Sequence, residues 1–236
     1  MCYTISIRLS KTCQDRGNLF GRLYVKERGE TVMKNIITIS REFGSGGREL
    51  GRRIAEKLEI AYYDQEIITE IAKRTALSEE YIRQIEEMRP ILHFPIRTGH
   101  RFYLTSEPIF YPDLSIYTKQ HELLRELSRK SDCVIVGRCA DYILREQKPV
   151  RIFAYADMES RIKRCMERRP EDENLTEAQM KKRITEIDRN RAKYYTFFSG
   201  QKWGARENYD LLVNTSGTDI KKLASALCGY LEALFE

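Results

Sequence analysis

No apolar run in this 236-residue chain approaches the roughly 20 residues that span a bilayer, so no membrane partner is expected. The six cysteines, Cys2, Cys13, Cys133, Cys139, Cys165 and Cys228, include no C-x-x-C pair, which leaves zinc and dithiol redox chemistry without their usual spacing. They read as reduced thiols of a cytoplasmic protein. There is no internal repeat and no low-complexity tract, which sets aside solenoids and biased linkers. What remains, with 42% hydrophobic and 32% charged residues, is an ordinary globular composition. This length suits one α/β domain with an inserted lobe, or at most two small domains.

The charge is unevenly placed. Between Arg161 and Arg206 there are 13 Lys and Arg against 7 Asp and Glu, a difference of +6 that equals the net charge of the whole chain. Such a tract suits a polyphosphate clamp, a nucleic-acid patch or a solvated helical face. Residues 1–32 differ from the rest: they show no sustained apolar period and no signal-peptide pattern, and Met33 would be a natural start before the first strand. They are expected to form a disordered or loosely attached extension to a domain at 33–236.

Five continuous apolar runs, 36–40, 61–64, 133–136, 151–154 and 211–214, read as buried parallel strands because helical patterns separate them. Leu50, Ile54 and Leu58 share one helical face between the first two, which makes a βαβ unit. Residues 91–113 carry three prolines, two histidines and five aromatics, and a loop of that length usually covers a site or is itself mobile. A charged helical tract runs from about 159 to 198 with an interruption near 170–174, and Thr176 followed by Glu177 marks a restart.

Three places carry chemistry. Between the first strand and its helix stands Gly44-Ser45-Gly46-Gly47-Arg48, the layout of a phosphate-binding loop. With Gly46 as the last glycine of G-x-x-x-x-G-K-[ST], Gly47 replaces the lysine and Arg48 the hydroxyl. A dinucleotide G-x-G-x-x-G fails because its third glycine would fall on Glu49. Asp64, ending the second strand, suits a catalytic carboxylate. The third strand ends in Gly137-Arg138, at the edge where α/β ligands bind, and arginine offers a fixed fork to phosphate oxygens. Asp188 and Arg191 lie three apart on one helical face, as do Arg161 and Arg164. The first pair suits either a ligand or a surface salt bridge, and the two arginines suit either a ligand or a solvated face.

Taken in order, these landmarks resemble the cytidylate kinases. Residues 40–47, SREFGSGG, and 137–144, GRCADYIL, are more closely similar to the divergent cytidylate-kinase-like proteins of bacteria, and 156–164 with Asp188-Arg189-Asn190-Arg191 extend the likeness from Asn35 to the C-terminus. The resemblance implies an α/β, three-layer P-loop NTPase fold with a five-stranded parallel sheet, an inserted acceptor-binding lobe at about 65–118 and a helical lid at about 159–198. It implies phosphoryl transfer from ATP, with Mg2+, to a nucleoside monophosphate of the CMP or dCMP kind or to a related small acceptor. By position, Gly44, Ser45, Gly46, Gly47 and Arg48 would wrap the ATP phosphates. Arg138, Asp188 and Arg191 would hold the acceptor, and Arg48, Asp64, Arg161 and Arg164 would serve the transfer. Magnesium would rely on Asp64, on Glu49 or on phosphate-held water. Cys139 stands where these kinases carry an aspartate, and Ile184 where they carry an arginine.

Two rival readings follow from the missing lysine and the basic tract. One is a non-catalytic nucleotide-binding regulatory module. The other is a nucleic-acid binder, which the sequence disfavours: aromatics interleave with basic residues only at 194–203. Small-molecule nucleotides are the expected partners, and the oligomeric state is left open.

Overall fold

The computed structural model describes residues 34–64, 67, 69, 70, 73, 74, 112–169 and 173–235. The expected extension at 1–32, and the expected acceptor lobe apart from those few positions and the start of its closing helix, lie outside the described residues. The five strands are β1 (Ile36–Arg41), β2 (Ala61–Tyr63), β3 (Cys133–Val136), β4 (Val150–Tyr155) and β5 (Leu211–Asn214). All four pairings are parallel, in the order β2-β3-β1-β4-β5. Strand order reverses at β1, and ligands of open parallel sheets bind beyond the carboxyl ends of the strands at such a point.

Alternation along the strands divides the core into two faces. Ile37, Ile39, Val134 and Val136 meet Leu50 and Ile54 of α1 (Gly47–Leu58), together with Ala224, Cys228 and Leu231 of α6 (Ile220–Phe235). Ile36, Cys133 and Ile135 face the other way. They meet α2 (Pro112–Lys130), the short α3 (Ala140–Ile143) and the Tyr194-Tyr195 end of α5 (Glu177–Ser199). The result is the three-layer α/β architecture expected from the sequence. A Cβ on Gly51 would lie 2.9 Å from Val136 Cγ2 and 3.1 Å from Ile39 Cδ1. That missing atom lets α1 press against the sheet and sets its N-terminus just beyond the end of β1.

The basic tract splits into two helices where the sequence breaks. Asp157 caps α4 (Met158–Glu167) by accepting from the Ser160 N–H at 2.7 Å. A capping box starts α5: the Gln179 N–H donates to Thr176 Oγ1 and the Thr176 N–H to Gln179 Oε1. Gly200, at φ +69°, ends it. Among the described residues no helix is long and apolar enough to cross a membrane.

Candidate functional site

The turn between β1 and α1 is shaped by two left-handed glycines, Gly44 at φ +78° and Gly46 at φ +80°. Ser45, wholly buried between them, folds back: its hydroxyl donates to the Glu42 carbonyl at 2.9 Å. Thr215, just after β5, donates its hydroxyl to the Ser45 carbonyl at 2.6 Å. The Gly47 N–H donates to the Ser45 hydroxyl at 3.4 Å; Gly46 itself has no side chain to cap α1, so the following N–H groups and the positive end of the helix dipole are directed to whatever lies in front of the turn. What lies there is a cavity of about 930 Å³, lined by Gly44, Gly46 and Gly47, by Arg48 and Asp64 on one side, and by residues of α4 and α5 on the other.

Three of the residues singled out in the sequence touch the backbone of this turn directly. Arg161 is buried; its Nε donates to the Phe43 carbonyl at 2.7 Å, and its guanidinium pairs with Asp188 and, at 3.2 Å, with Glu42. Asp188 accepts from the Phe43 N–H at 2.7 Å. Arg164 donates to the carbonyls of Gly44 at 2.8 Å and Thr215 at 3.0 Å. Helices α4 and α5 are thus tied to the glycine turn by charge-assisted bonds. Burial raises the carboxyl groups of Glu42 and Asp188. The N–H of Ala156 and the Arg161 charge offset this for Glu42, and the N–H of Phe43 with Arg161 and Arg191 for Asp188.

The remaining candidates form a second group toward β2 and β3. Arg48 pairs through Nε with Asp64 Oδ2 at 2.5 Å; its side chain is 56% exposed and that of Asp64 only 4%. Arg138 has a left-handed backbone, φ +64°, held by the Gln120 side chain donating to its carbonyl at 2.7 Å. Burial pushes its guanidinium down to about 9, and the adjacent charge of Arg41 adds to this while Asp64 opposes it. It therefore stays cationic at neutral pH. Arg191 packs over the Phe43 ring at 5.4 Å and donates to the Arg41 carbonyl at 3.3 Å.

So Gly44, Gly46, Gly47, Arg48, Asp64, Arg164 and Arg191 share one cavity, and Arg161 with Asp188 holds Phe43, which also lines it. Sequence reasoning did not single out Arg41, Glu42 or Thr215. A charged residue ending an apolar strand was the available signal for Arg41; Thr215 lies 170 residues from its partner Ser45 and gave none. Cations around the cavity already hold carboxylates: Arg168 pairs with Glu49, and Arg183 with Glu173. Among the described residues no three His, Cys, Asp or Glu side chains cluster as a metal site.

The sequence model of the cytidylate kinase-like family matches residues 36–217, and the chain belongs to that family. Among solved structures, the crystal structure of an uncharacterized protein from Eubacterium ventriosum is 25% identical, with a TM-score of 0.61, over 84% of this chain and 99% of that one. Shikimate kinase from Bacteroides thetaiotaomicron is 15% identical, with a TM-score of 0.52, over 84% of this chain and 98% of that one; it shares the fold. No curated protein matches the chain. The architecture is that of the P-loop kinases.

Proposed function

We propose that this protein is an ATP-dependent kinase that phosphorylates a small acceptor, a nucleoside monophosphate of the CMP or dCMP kind being the first choice. The observation that carries this is the N-terminus of α1, opening through a doubly left-handed glycine turn onto an arginine-lined cavity. ATP would supply the phosphoryl group; the protein supplies position and charge, which is most of what such a transfer needs. Gly44 to Arg48 would cradle the triphosphate with backbone N–H groups. Arg138 and Arg191 would orient the acceptor phosphate. Arg161, Arg164 and Asp188 would hold the turn in register with the lid. For Mg2+ the described residues fit an ion carried in by the nucleotide: the loop has no hydroxyl after Gly47, and Asp64 and Glu49 are carboxylates that line the cavity beside Arg48. Magnesium in kinase sites commonly needs only one or two carboxylates besides phosphates and water.

Incubation of the pure protein with ATP, Mg2+ and a panel of nucleoside monophosphates and small alcohols tests this. Formation of ADP together with one phosphorylated acceptor is expected. Tight ATP binding with no acceptor turned over would replace the kinase with a regulatory nucleotide-binding module, a rival that the Arg48–Asp64 pair keeps open.

A further inference from the structure

A glycine–lysine phosphate loop spells G-x-x-x-x-G-K. With Gly46 as its second glycine, the first position falls on Arg41 and the last on Gly47. The two departures are reciprocal: an arginine stands where a glycine belongs, and a glycine where the lysine belongs. They also meet in space. A Cβ on Gly47 would lie 2.5 Å from the Cβ of Arg41 and 3.1 Å from its Cγ, so a lysine at 47 and Arg41 as placed exclude one another.

Beyond Gly47 the Arg41 side chain runs on to the end of β3, where a Cβ on Gly137 would fall 1.9 Å from Arg41 Nη1. Two missing side chains therefore open the path along which this one arginine passes. Arg41 lines the same cavity as Gly46 and Gly47. Its charge lies close enough to Arg138 to add to the lowering that burial imposes on that guanidinium, a repulsion that a bridging polyanion would relieve. Arg48 lies on the outer side of the turn, its side chain 56% exposed and its Nε on Asp64.

We propose that Arg41 is the cation for the outer phosphates of a nucleoside triphosphate, reaching from β1 through the gap left by Gly47 and Gly137 in place of the loop lysine. This rests on the phosphate-loop part of the kinase reading. A strand-borne guanidinium would grip two phosphate oxygens with a planar fork, where a lysine offers a point charge.

Calorimetric titration of Mg-ATP and of inorganic tripolyphosphate tests it on the wild type and on Arg41→Gln, Arg41→Lys, Gly47→Ala and Arg48→Gln, with thermal melts and kinase turnover measured on the same samples. Arg41→Gln is expected to weaken both ligands roughly tenfold to a hundredfold, and Arg41→Lys to recover only part of this. Gly47→Ala removes no charge but displaces Arg41, so it is expected to weaken both ligands too. It and Arg41→Lys decide the matter if Arg41→Gln melts early. Binding by a folded Arg41→Gln within about twofold of wild type, or a large loss confined to Arg48→Gln, overturns the assignment. Arg41-dependent tripolyphosphate binding without turnover on any acceptor overturns the kinase reading and leaves Arg41 in place. Turnover that survives Arg41→Gln with unchanged binding does the reverse.

Discussion

Asp188 accepts the backbone N–H of Phe43 at 2.7 Å across 145 residues of chain. The carbonyl of the same residue takes the Nε of Arg161, so the two peptide groups flanking the Phe43 Cα, at the entry of the glycine turn, are held by an ion pair between α4 and α5. The glycine turn and helices α4 and α5 are therefore one mechanical unit.

Arg161→Ala should expose how much that unit contributes. The variant leaves Glu42 and Asp188 near one another without their shared cation, and Asp188 already carries a carboxyl raised by burial. Breaking a buried pair by removing one partner costs about 3–5 kcal/mol. Urea denaturation should register a loss of that size, with Arg161→Lys intermediate because it keeps the charge but loses the fork onto Phe43. A midpoint unchanged by Arg161→Ala would mean that the lid is not tied to the turn through this residue.

Asp141 offers a prediction in pH. It is buried, accepts from the Tyr195 hydroxyl at 2.6 Å, and has its carboxyl raised chiefly by burial. A raised acid binds its proton more tightly folded than unfolded, so its contribution is full below the unfolded value near 4 and fades as pH rises through the folded value. Asp141→Asn keeps an acceptor for Tyr195 and removes the titration. The melting temperature of the variant relative to wild type should therefore climb as pH rises above about 4 and level off once the folded carboxyl has ionised. A difference that is flat with pH would show that the Asp141 carboxyl is ordinary.

Much of this protein was legible before its structure. Continuous apolar runs marked all five strands, and β4 gained only Val150 and Tyr155, positions fixed by pairing to Ile37 of β1 and Asn214 of β5. Thr176 announced the start of α5. Spacing put Arg161 beside Arg164 and Asp188 beside Arg191, but spacing cannot tell an exposed pair from a buried one. That Arg161 and Arg164 reach across to the carbonyls of Phe43 and Gly44 depends on how α4 packs. Arg41 stayed hidden for a related reason: its significance lies in atoms that Gly47 and Gly137 lack.

Glu49 stands in the first turn of α1 and binds two guanidinium groups, Arg53 at 2.8 Å and Arg168 from beyond α4. Its carboxyl is lowered, the bonds to Arg168 and Arg53 outweighing the effect of burial. Glu49→Gln should release Arg168 toward the cavity and remove a negative charge from its rim. Tripolyphosphate affinity is then expected to rise by roughly threefold to tenfold. Stability should fall by about 0.3–1 kcal/mol as the helix N-terminus loses a favourable charge. Weaker binding would instead mean that Glu49 holds Arg168 where a ligand needs it.

Gly44 allows the backbone of the turn to be tested apart from its charges. It sits at φ +78°, and a Cβ there would lie 2.8 Å from Cys165 Sγ and 3.0 Å from the Arg161 carbonyl. Gly200 has a similar φ of +69° with nothing within 4 Å of where its Cβ would be, so Gly200→Ala should show the conformational cost alone, about 1–2 kcal/mol. Gly44→Ala should cost more, about 2–4 kcal/mol, because strain and crowding act together. Pairing it with Cys165→Ala should recover the part owed to the sulfur, but not the part owed to the Arg161 carbonyl, which the α4 backbone fixes. Triphosphate binding should follow Gly44→Ala down and ignore Gly200→Ala. Equal stability losses at the two glycines would show that α4 yields to a side chain at 44, and the turn would then not be the rigid cradle that its contacts describe.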